Sequence, residues 1–580
     1  MDQQKNLILA IVLSVGILFA FQYFLAPKLH APQPTPETSQ STPQAGTPAA
    51  PGTTTTAAPT AAAPSTAIAA RETVLTQTPR VKIETPRLSG SINLVGAKID
   101  DLTLTTYHEE PDPKSPEIVL LAPEGTANPY FAEFGWVAAD TKIKMPGADT
   151  QWTSSGGALT PDHPVTLTWD NGEGLRFTRR YAVDDNYMFT VTQSVTNNSG
   201  AALALYPYAY VARKGEVPVS TTYLLHEGPI GVFNGTLEDG YKYSSLEPGK
   251  PANFDSTGGW MGFTDKYWLT ALIPDQKEKV AANFRHSVQD HIDVYQADYR
   301  GSEHSVQPGA TVTVGDHFFA GAKEVALLDG YESALEIPRF DRAIDFGWFY
   351  FLTKPIFLTL DFFYKLIGNF GLAIMLLTVI IKLVFFPLAN KSYKAMSKMK
   401  QLQPEMQKLR ERFGDDKAKL NQEMMALYKR VGANPMAGCL PIALQIPVFF
   451  SLYKVLYVTI EMRHAPFYGW IHDLSAPDPT SFANLFGLLH FAPPHILMIG
   501  AWPIIMGITM FLQQKLNPQP PDPVQAKMFM ALPFVFTYML AQFASGLVIY
   551  WAWNNTLSIA QQWVIMRRAG ITRTATPVKT

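Results

Sequence analysis

A single lysine, Lys382, stands inside the apolar run Leu377-Thr378-Val379-Ile380-Ile381-Lys382-Leu383-Val384-Phe385-Phe386. An ammonium at the centre of a hydrocarbon core costs roughly 2.5–3.5 kcal/mol on insertion scales, so such a charge is a candidate functional group. Snorkelling to the headgroups is the ordinary alternative. On a straight helix the next lysine, Lys391, lies about 13 Å further on, and a Lys stem of about 6 Å falls short of the headgroups by simple extension. The distance favours a hydrated, protein-lined recess. Polar partners exist on the same stretch, at Thr378, and on others: Gln445 and Ser451, and the series Tyr550, Asn554, Ser558 and Gln562. Four-residue spacing puts that series on one helix face. Hydrogen bonding between membrane helices is the usual role of such groups. A whole stripe opposite an unpaired lysine points further, to a polar seam. No Asp or Glu lies in these stretches, which argues against a proton- or sodium-coupled transporter. Motifs of hydrolases, metalloproteases and nucleotide binding are missing: no HExxH, GxSxG, P-loop or Rossmann glycine pattern. One cysteine, Cys439, excludes an intramolecular disulfide or a thiolate cluster. We therefore expect no catalytic residue, no metal ligand and no cofactor.

The elements that must position these residues differ sharply along the 580-residue chain, which is 47% apolar and 17% charged with a net charge of -2. A mean hydropathy of 0.00 and a pI near 6.6 are averages over unlike parts, and they give no reason to expect DNA as a partner. Residues 1–30 hold the uncharged run Leu7 to Ala26, long enough for a ~30 Å core and longer than a signal-peptide core. With no convincing cleavage site we read an uncleaved anchor rather than a signal peptide. Residues 31–70 are rich in Pro, Thr and Ala, with Glu37 their only charge, and read as a flexible tether with little to bury. Residues 71–335 alternate with period two, as in Ile92/Leu94, Leu102/Leu104, Val165/Leu167/Trp169, Phe189/Val191 and Val312/Val314. Many short strands between turn signals predict a large all-β sandwich. This segment carries 21 Lys and Arg against 34 Asp and Glu, a net of -13, and is most simply extracytoplasmic.

Residues 336–369 are aromatic but interrupted by charges, as expected of an amphipathic helix in the membrane interface. Apolar spans are predicted at 370–388, 436–460, 495–513, 528–543 and 547–566, making six with the anchor; Pro441, Pro447, Pro503 and Pro533 interrupt them. Loop charges set the orientation. Lys391 to Val431 holds 11 basic and 5 acidic residues, and the tail 567–580 holds four basic residues and no acid. The loop 461–494 holds one Arg and three acids. Basic loops stay inside, so 389–432, 514–527 and both termini are cytoplasmic, while 461–494 and the β domain lie outside. Within 391–431 two short helices are expected. Pro404 starts the first, with Met406, Leu409 and Phe413 on its apolar side; Gly414-Asp415-Asp416 makes the turn; Leu420, Met424 and Leu427 line the return. The basic face, with Lys408, Arg410, Arg412, Lys417 and Lys419, fits either anionic headgroups or the phosphates of ribosomal RNA.

These residues carry a family likeness. MDQQKNL, TVIIKLVFFPL, RERFGDDKAKLNQEMMALYKRVGANPMAGCLP, APFYGWIHDLSAPDP and SGLVIYWAWNNTLSIAQQ resemble the YidC/Oxa family of membrane protein insertases. The likeness is strongest over about 340–570, and the anchor and acidic domain resemble its Gram-negative YidC type. The resemblance implies an α-helical polytopic bundle with a five-helix core. Its hydrophilic groove opens to the cytoplasm and to lipid and is closed outside. The periplasmic β domain is implied to be a mutarotase-like supersandwich, without sugar chemistry. Lys382 matches a groove position usually held by Arg; it keeps the point charge but not the planar fork. Thr378, Ile446 and Phe449 match substrate-path positions. Tyr550-Trp551 stands where relatives often have paired tyrosines. The implied activity is insertion and chaperoning of inner-membrane proteins, not an enzymatic reaction, alone or with the Sec translocon. Implied partners are nascent hydrophobic segments, the ribosome, the Sec translocon and the phospholipid bilayer. The basic tail is shorter than in relatives that dock ribosomes with it. An assembly scaffold and a secondary transporter are the competing readings.

Overall fold

A computed structural model describes residues 58–59, 68–217, 219, 225–414, 416–431, 440–491, 493–494, 497–517 and 523–568. The expected anchor, Cys439, Asp415, most of the tether and the tail beyond Arg568 lie outside the described residues. The chain divides into two compact units, one ending at Ala343 and the other running from Ile344.

The first unit consists of two antiparallel sheets, of ten and nine strands. Period-two sequences produce them: Leu175–Val183 and Met188–Asn197 bury alternate residues almost without exception, as a strand with one covered face must. Leu102, Leu104, Val165, Leu167, Phe189 and Val191 are all buried, while Trp169, Val312 and Val314 are only half-buried. The sheets meet through aromatic rings. Phe134 of the ten-stranded sheet lies edge-on to Phe318 of the other at 6.1 Å, and the Tyr130 hydroxyl bonds Thr270 Oγ1 at 2.5 Å. The β-sandwich expectation is met.

Two buried carboxylates make this unit sensitive to pH. Asp316 accepts the Tyr299 hydroxyl at 2.5 Å, and burial pushes its pKa up to about 7. Burial also raises Asp298 to about 6, although Arg285 sits 2.7 Å away. Both folded-state values lie above the unfolded value of about 3.9. The folded chain therefore holds extra protons between pH 4 and 7, and stability is lost as pH rises through that window. Thermal scans should find the β unit more stable at pH 5 than at pH 8. Asp316 contributes at most about 2.7 kcal/mol to that difference, because only the two units between pH 5 and its folded value of about 7 count, at 1.36 kcal/mol per unit. Asp316→Asn should flatten the dependence by raising the pH 8 value; an unchanged pH profile would refute the assignment.

The second unit is helical: Tyr350–Ile367, Phe370–Val384, Phe386–Phe413, Lys417–Val431, Leu440–Val458, Ala501–Leu516, Pro523–Leu540 and Ser545–Arg568. Among the described residues no single helix is long and apolar enough to cross a membrane. One bent pair, Phe370–Val384 with Phe386–Met396, passes that test with a 68° bend. Several helices are short; the 16 residues of Ala501–Leu516 rise about 24 Å against a ~30 Å core. In others, Asn, Gln, Tyr, Trp and Pro dilute the apolar content. The bend has a covalent cause. Pro387 lies in the first turn of the second helix; it has no N–H for the preceding turn and disfavours α geometry just before itself.

Three sequence boundaries move. Pro404 does not start a helix but lies inside the 28-residue Phe386–Phe413 helix. Burial of Leu402 and Met406 on either side of it holds the helix through the missing hydrogen bond. Within the span expected from 495, whose first two residues lie outside the described ones, the helix begins at Ala501, because Gly500 is extended and forms its N-cap. The helix within 336–369 is limited to Tyr350–Ile367 and ends on Gly368 in the left-handed conformation.

The expected outer loop is tightly built. Buried Asp478 accepts the Trp470 indole N–H at 3.1 Å, the Thr480 amide at 3.0 Å and hydroxyl at 2.7 Å, and the Trp502 amide at 2.9 Å. It thereby caps the Ala501 helix from 24 residues upstream, where the dipole favours a negative charge. A Cβ on Gly500 would come within 2.3 Å of the Asp478 carboxyl carbon, so only glycine allows this approach. The last helix is tied to the same loop. The Ser545 amide bonds the Ala476 carbonyl at 2.7 Å, and the Gly546 amide bonds the Leu474 carbonyl at 2.9 Å.

Candidate functional site

Lys382 lies in the last turn of the Phe370–Val384 helix, not at a helix centre, so the straight-helix distance to Lys391 does not apply. The helix end supplies part of what a counter-ion would: its unpaired carbonyls and dipole favour a cation. Lys382 Nζ donates to Ser558 Oγ at 2.8 Å. Ser558 in turn donates to the Asn554 carbonyl at 2.8 Å and is hydrogen-bonded to Tyr393. Among the described residues Lys382 has no carboxylate partner within 4.0 Å; the ion pairs lie elsewhere.

The stripe on the last helix faces inward: Tyr550, Asn554, Ser558 and Gln562 are all buried. That helix packs on the Phe370–Val384, Phe386–Phe413, Leu440–Val458 and Ala501–Leu516 helices, so one polar face is divided among several neighbours. Tyr550 pairs with Gln445, Ser558 with Lys382, and Gln562 Nε2 donates to the Leu516 carbonyl at 3.3 Å. One residue on from Tyr550, Trp551 stacks on Phe449 with ring centroids 4.6 Å apart and planes at 14°. Ser451 Oγ, Asn554 Oδ1 and Gln562 Oε1 are buried without a partner among the described residues. Leaving such groups unsatisfied costs about 1–3 kcal/mol each.

The structure thus brings Lys382 to Ser558, Gln445 to Tyr550 and Phe449 to Trp551. It does not bring Thr378 to them, since its buried hydroxyl bonds the Ile374 carbonyl one turn back at 2.7 Å. Ile446, next to Gln445 on the same helix, is exposed. Two residues escaped the sequence reading. Tyr393 sits beyond the 68° bend, where helical spacing from Lys382 loses meaning. Lys454, inside the apolar stretch 436–460, pairs with Asp345 at 2.8 Å; its charge was a visible signal.

In the basic hairpin, Leu402, Met406 and Leu427 form the buried seam, with Met399, Leu409, Met424 and Tyr428 packed on it. Lys408, Arg412 and Lys419 are exposed, and Arg412 and Lys419 each lie 5.4 Å from the Phe413 ring. Asp416 is structural: its Oδ1 accepts the Lys419 amide at 3.0 Å, an N-cap. The side chain of Lys417 lies outside the described residues.

Residues 80–359 match the family described as YidC periplasmic domain, and residues 362–572 match that described as 60Kd inner membrane protein. The membrane protein insertase YidC of Nitrobacter hamburgensis is 52% identical over 589 residues, covering 98% of this chain and 96% of its own. The chain belongs to the YidC family of membrane protein insertases. The insertase YidC of Methylobacterium nodulans is 55% identical over 493 residues, 83% of this chain and 81% of its own. An active YidC insertase crystal structure with the first transmembrane domain resolved aligns over 83% of this chain and 91% of its own, with 16% identity and a TM-score of 0.34. Family membership gives the polar seam, Lys382 included, a setting in an inner-membrane protein with a periplasmic domain.

Proposed function

We propose that the chain inserts and chaperones integral membrane proteins through a wet, positively charged groove around Lys382. In this reading the anchor and five helical segments make six spans, the 68°-bent pair serving as one of them, with both termini cytoplasmic and the β unit periplasmic. Large apolar side chains exposed on the helices, among them Phe351, Phe362, Leu383, Ile508 and Phe534, support contact with lipid, because water-facing surfaces rarely carry so many. The exposed apolar face of Tyr350–Ile367 supports an interfacial position.

One observation carries the proposal: Lys382 meets a neutral serine on a buried polar stripe and has no carboxylate partner among the described residues. A charge held this way is costly unless hydrated, and the buried Asn554 and Gln562 oxygens one turn to either side of Ser558, without a partner among the described residues, call for water as well. Such a groove replaces part of the bilayer for a short polar flank. Lys382 attracts an acidic flank, Gln445, Tyr550 and Ser558 exchange hydrogen bonds with its hydration, and the client's apolar segment leaves past Ile446, Phe449 and Trp551 into lipid. Burial of client apolar surface, at about 25 cal/mol per Å², drives the process without a nucleotide and without bond chemistry. The hairpin's exposed Lys408, Arg412 and Lys419 receive the client from the ribosome, and the Sec translocon shares longer clients.

Photo-crosslinkers at 378, 446 and 551 test this during synthesis of a nascent membrane protein. Adducts are expected at 446 and 551, with fewer at buried 378. An assembly scaffold predicts none at any of the three. A secondary transporter predicts solute uptake by the purified protein in liposomes instead.

A further inference from the structure

The tether is not featureless where it is described. Ala58, only 4% exposed, belongs to a buried cluster with Phe131, Tyr208, Tyr210, Ala212 and Val294 of the β unit. Strand register explains the cluster. Phe131 opposes Ala212, and Gly135 opposes Tyr208; Ala212 opposes Gln296. These residues therefore share one face of the ten-stranded sheet, opposite to the face that sends Phe134 against Phe318. Glycine at 135 leaves room for the Tyr208 ring, which a Cβ there would meet at 2.6 Å. The Tyr208 and Tyr210 rings are parallel within 7° and 6.3 Å apart. Glu133 fixes both by accepting their hydroxyls at 3.0 and 2.6 Å.

A directed polar contact completes the recess. Gln296, 1% exposed, donates its Nε2 proton to the Pro59 carbonyl at 2.9 Å, and Asp298 Oδ1 orients the same amide nitrogen at 3.1 Å. Aromatic walls with one placed donor to a proline carbonyl are the chemistry by which proteins hold extended proline-containing peptides, whose fixed φ lowers the ordering cost. Ala58 leaves little space for a larger side chain. The tether repeats this ligand: Ala-Ala-Pro occurs at 49–51, 57–59 and 62–64.

We propose that this recess is a binding site for an extended Ala-Pro peptide, filled in cis by the tether, and that it accepts any of the three copies. Exchange between copies changes the free length between the anchor and the β unit in steps of five or eight residues. Double electron–electron resonance on the full chain tests this, with spin labels at Thr56→Cys and the exposed Val288→Cys in a Cys439→Ser background. All further changes lie in the tether, so the β unit keeps its sequence apart from the label site. The parent should give a dominant narrow component from the seated 57–59 copy. Pro51→Gly, Pro59→Gly and Pro64→Gly together should at least double the width of the distribution. Pro59→Gly alone should keep a narrow but displaced component, as a neighbouring copy takes the site. Equal widths for parent and triple variant would overturn the site. A single variant as broad as the triple would overturn the exchange of copies.

Discussion

Lys382→Ala lowers insertion of clients with acidic translocated flanks by about tenfold, and of clients with neutral flanks much less. The size follows from the setting of the charge. Two unit charges 4 Å apart attract by about 4 kcal/mol at an effective dielectric of 20. Groove water screens much of this, leaving about 1.4 kcal/mol, a factor of ten. Among the described residues the substitution breaks no ion pair, since the side-chain bond from Nζ goes to neutral Ser558, so it strands no buried acid there and folding is preserved. Lys382→Arg keeps the charge and should retain activity. Matched acidic and neutral clients in proteoliposomes provide the measurement. Equal losses for both would leave Lys382 as a structural group only.

The second large effect falls on the outer loop. Asp478→Ala removes four accepted hydrogen bonds and the cap of the Ala501–Leu516 helix. It strands the Trp470 indole and the Trp502 amide. Bonds to a charged acceptor are worth about 1.5–3 kcal/mol singly and do not add in full, so a loss near 3 kcal/mol is expected. At about 2–4 °C per kcal/mol for a unit of this size, the melting midpoint of the helical unit should fall by roughly 6–12 °C. Asp478→Asn, which keeps the shape and one acceptor, should lose less. A detergent-solubilised thermal scan decides it, and an unshifted midpoint would mean that the cap contributes little.

Much of this was legible in the residues, for identifiable reasons. Leu175–Val183 and Met188–Asn197 announce their strands because a one-sided core imposes period two directly on sequence. The Tyr550, Asn554, Ser558 and Gln562 stripe was readable because one helix carries all four. The pairing of Gln445 with Tyr550 across 105 residues was not, since no local pattern says which helices adjoin. The placement of Lys382 failed for a subtler reason. Phe385-Phe386-Pro387 held the signal for the bend, but an apolar run reads as one span when hydropathy alone is followed. Gly500 is similar: its extended backbone depends on Asp478, and nothing adjacent to it says so.

The two amides that begin the last helix are clamped by carbonyls of Leu474 and Ala476, while its middle, at Ser558, carries the contact to Lys382. With that tip held by two backbone bonds, the helix has more freedom toward the other, where Gln562 makes a 3.3 Å bond to the Leu516 carbonyl. Excursions of this helix should therefore grow from Ser545 toward Gln562, widening the lysine side while the opposite rim stays shut. Opening on one side without a leak on the other would then be a matter of leverage, requiring no separate gate.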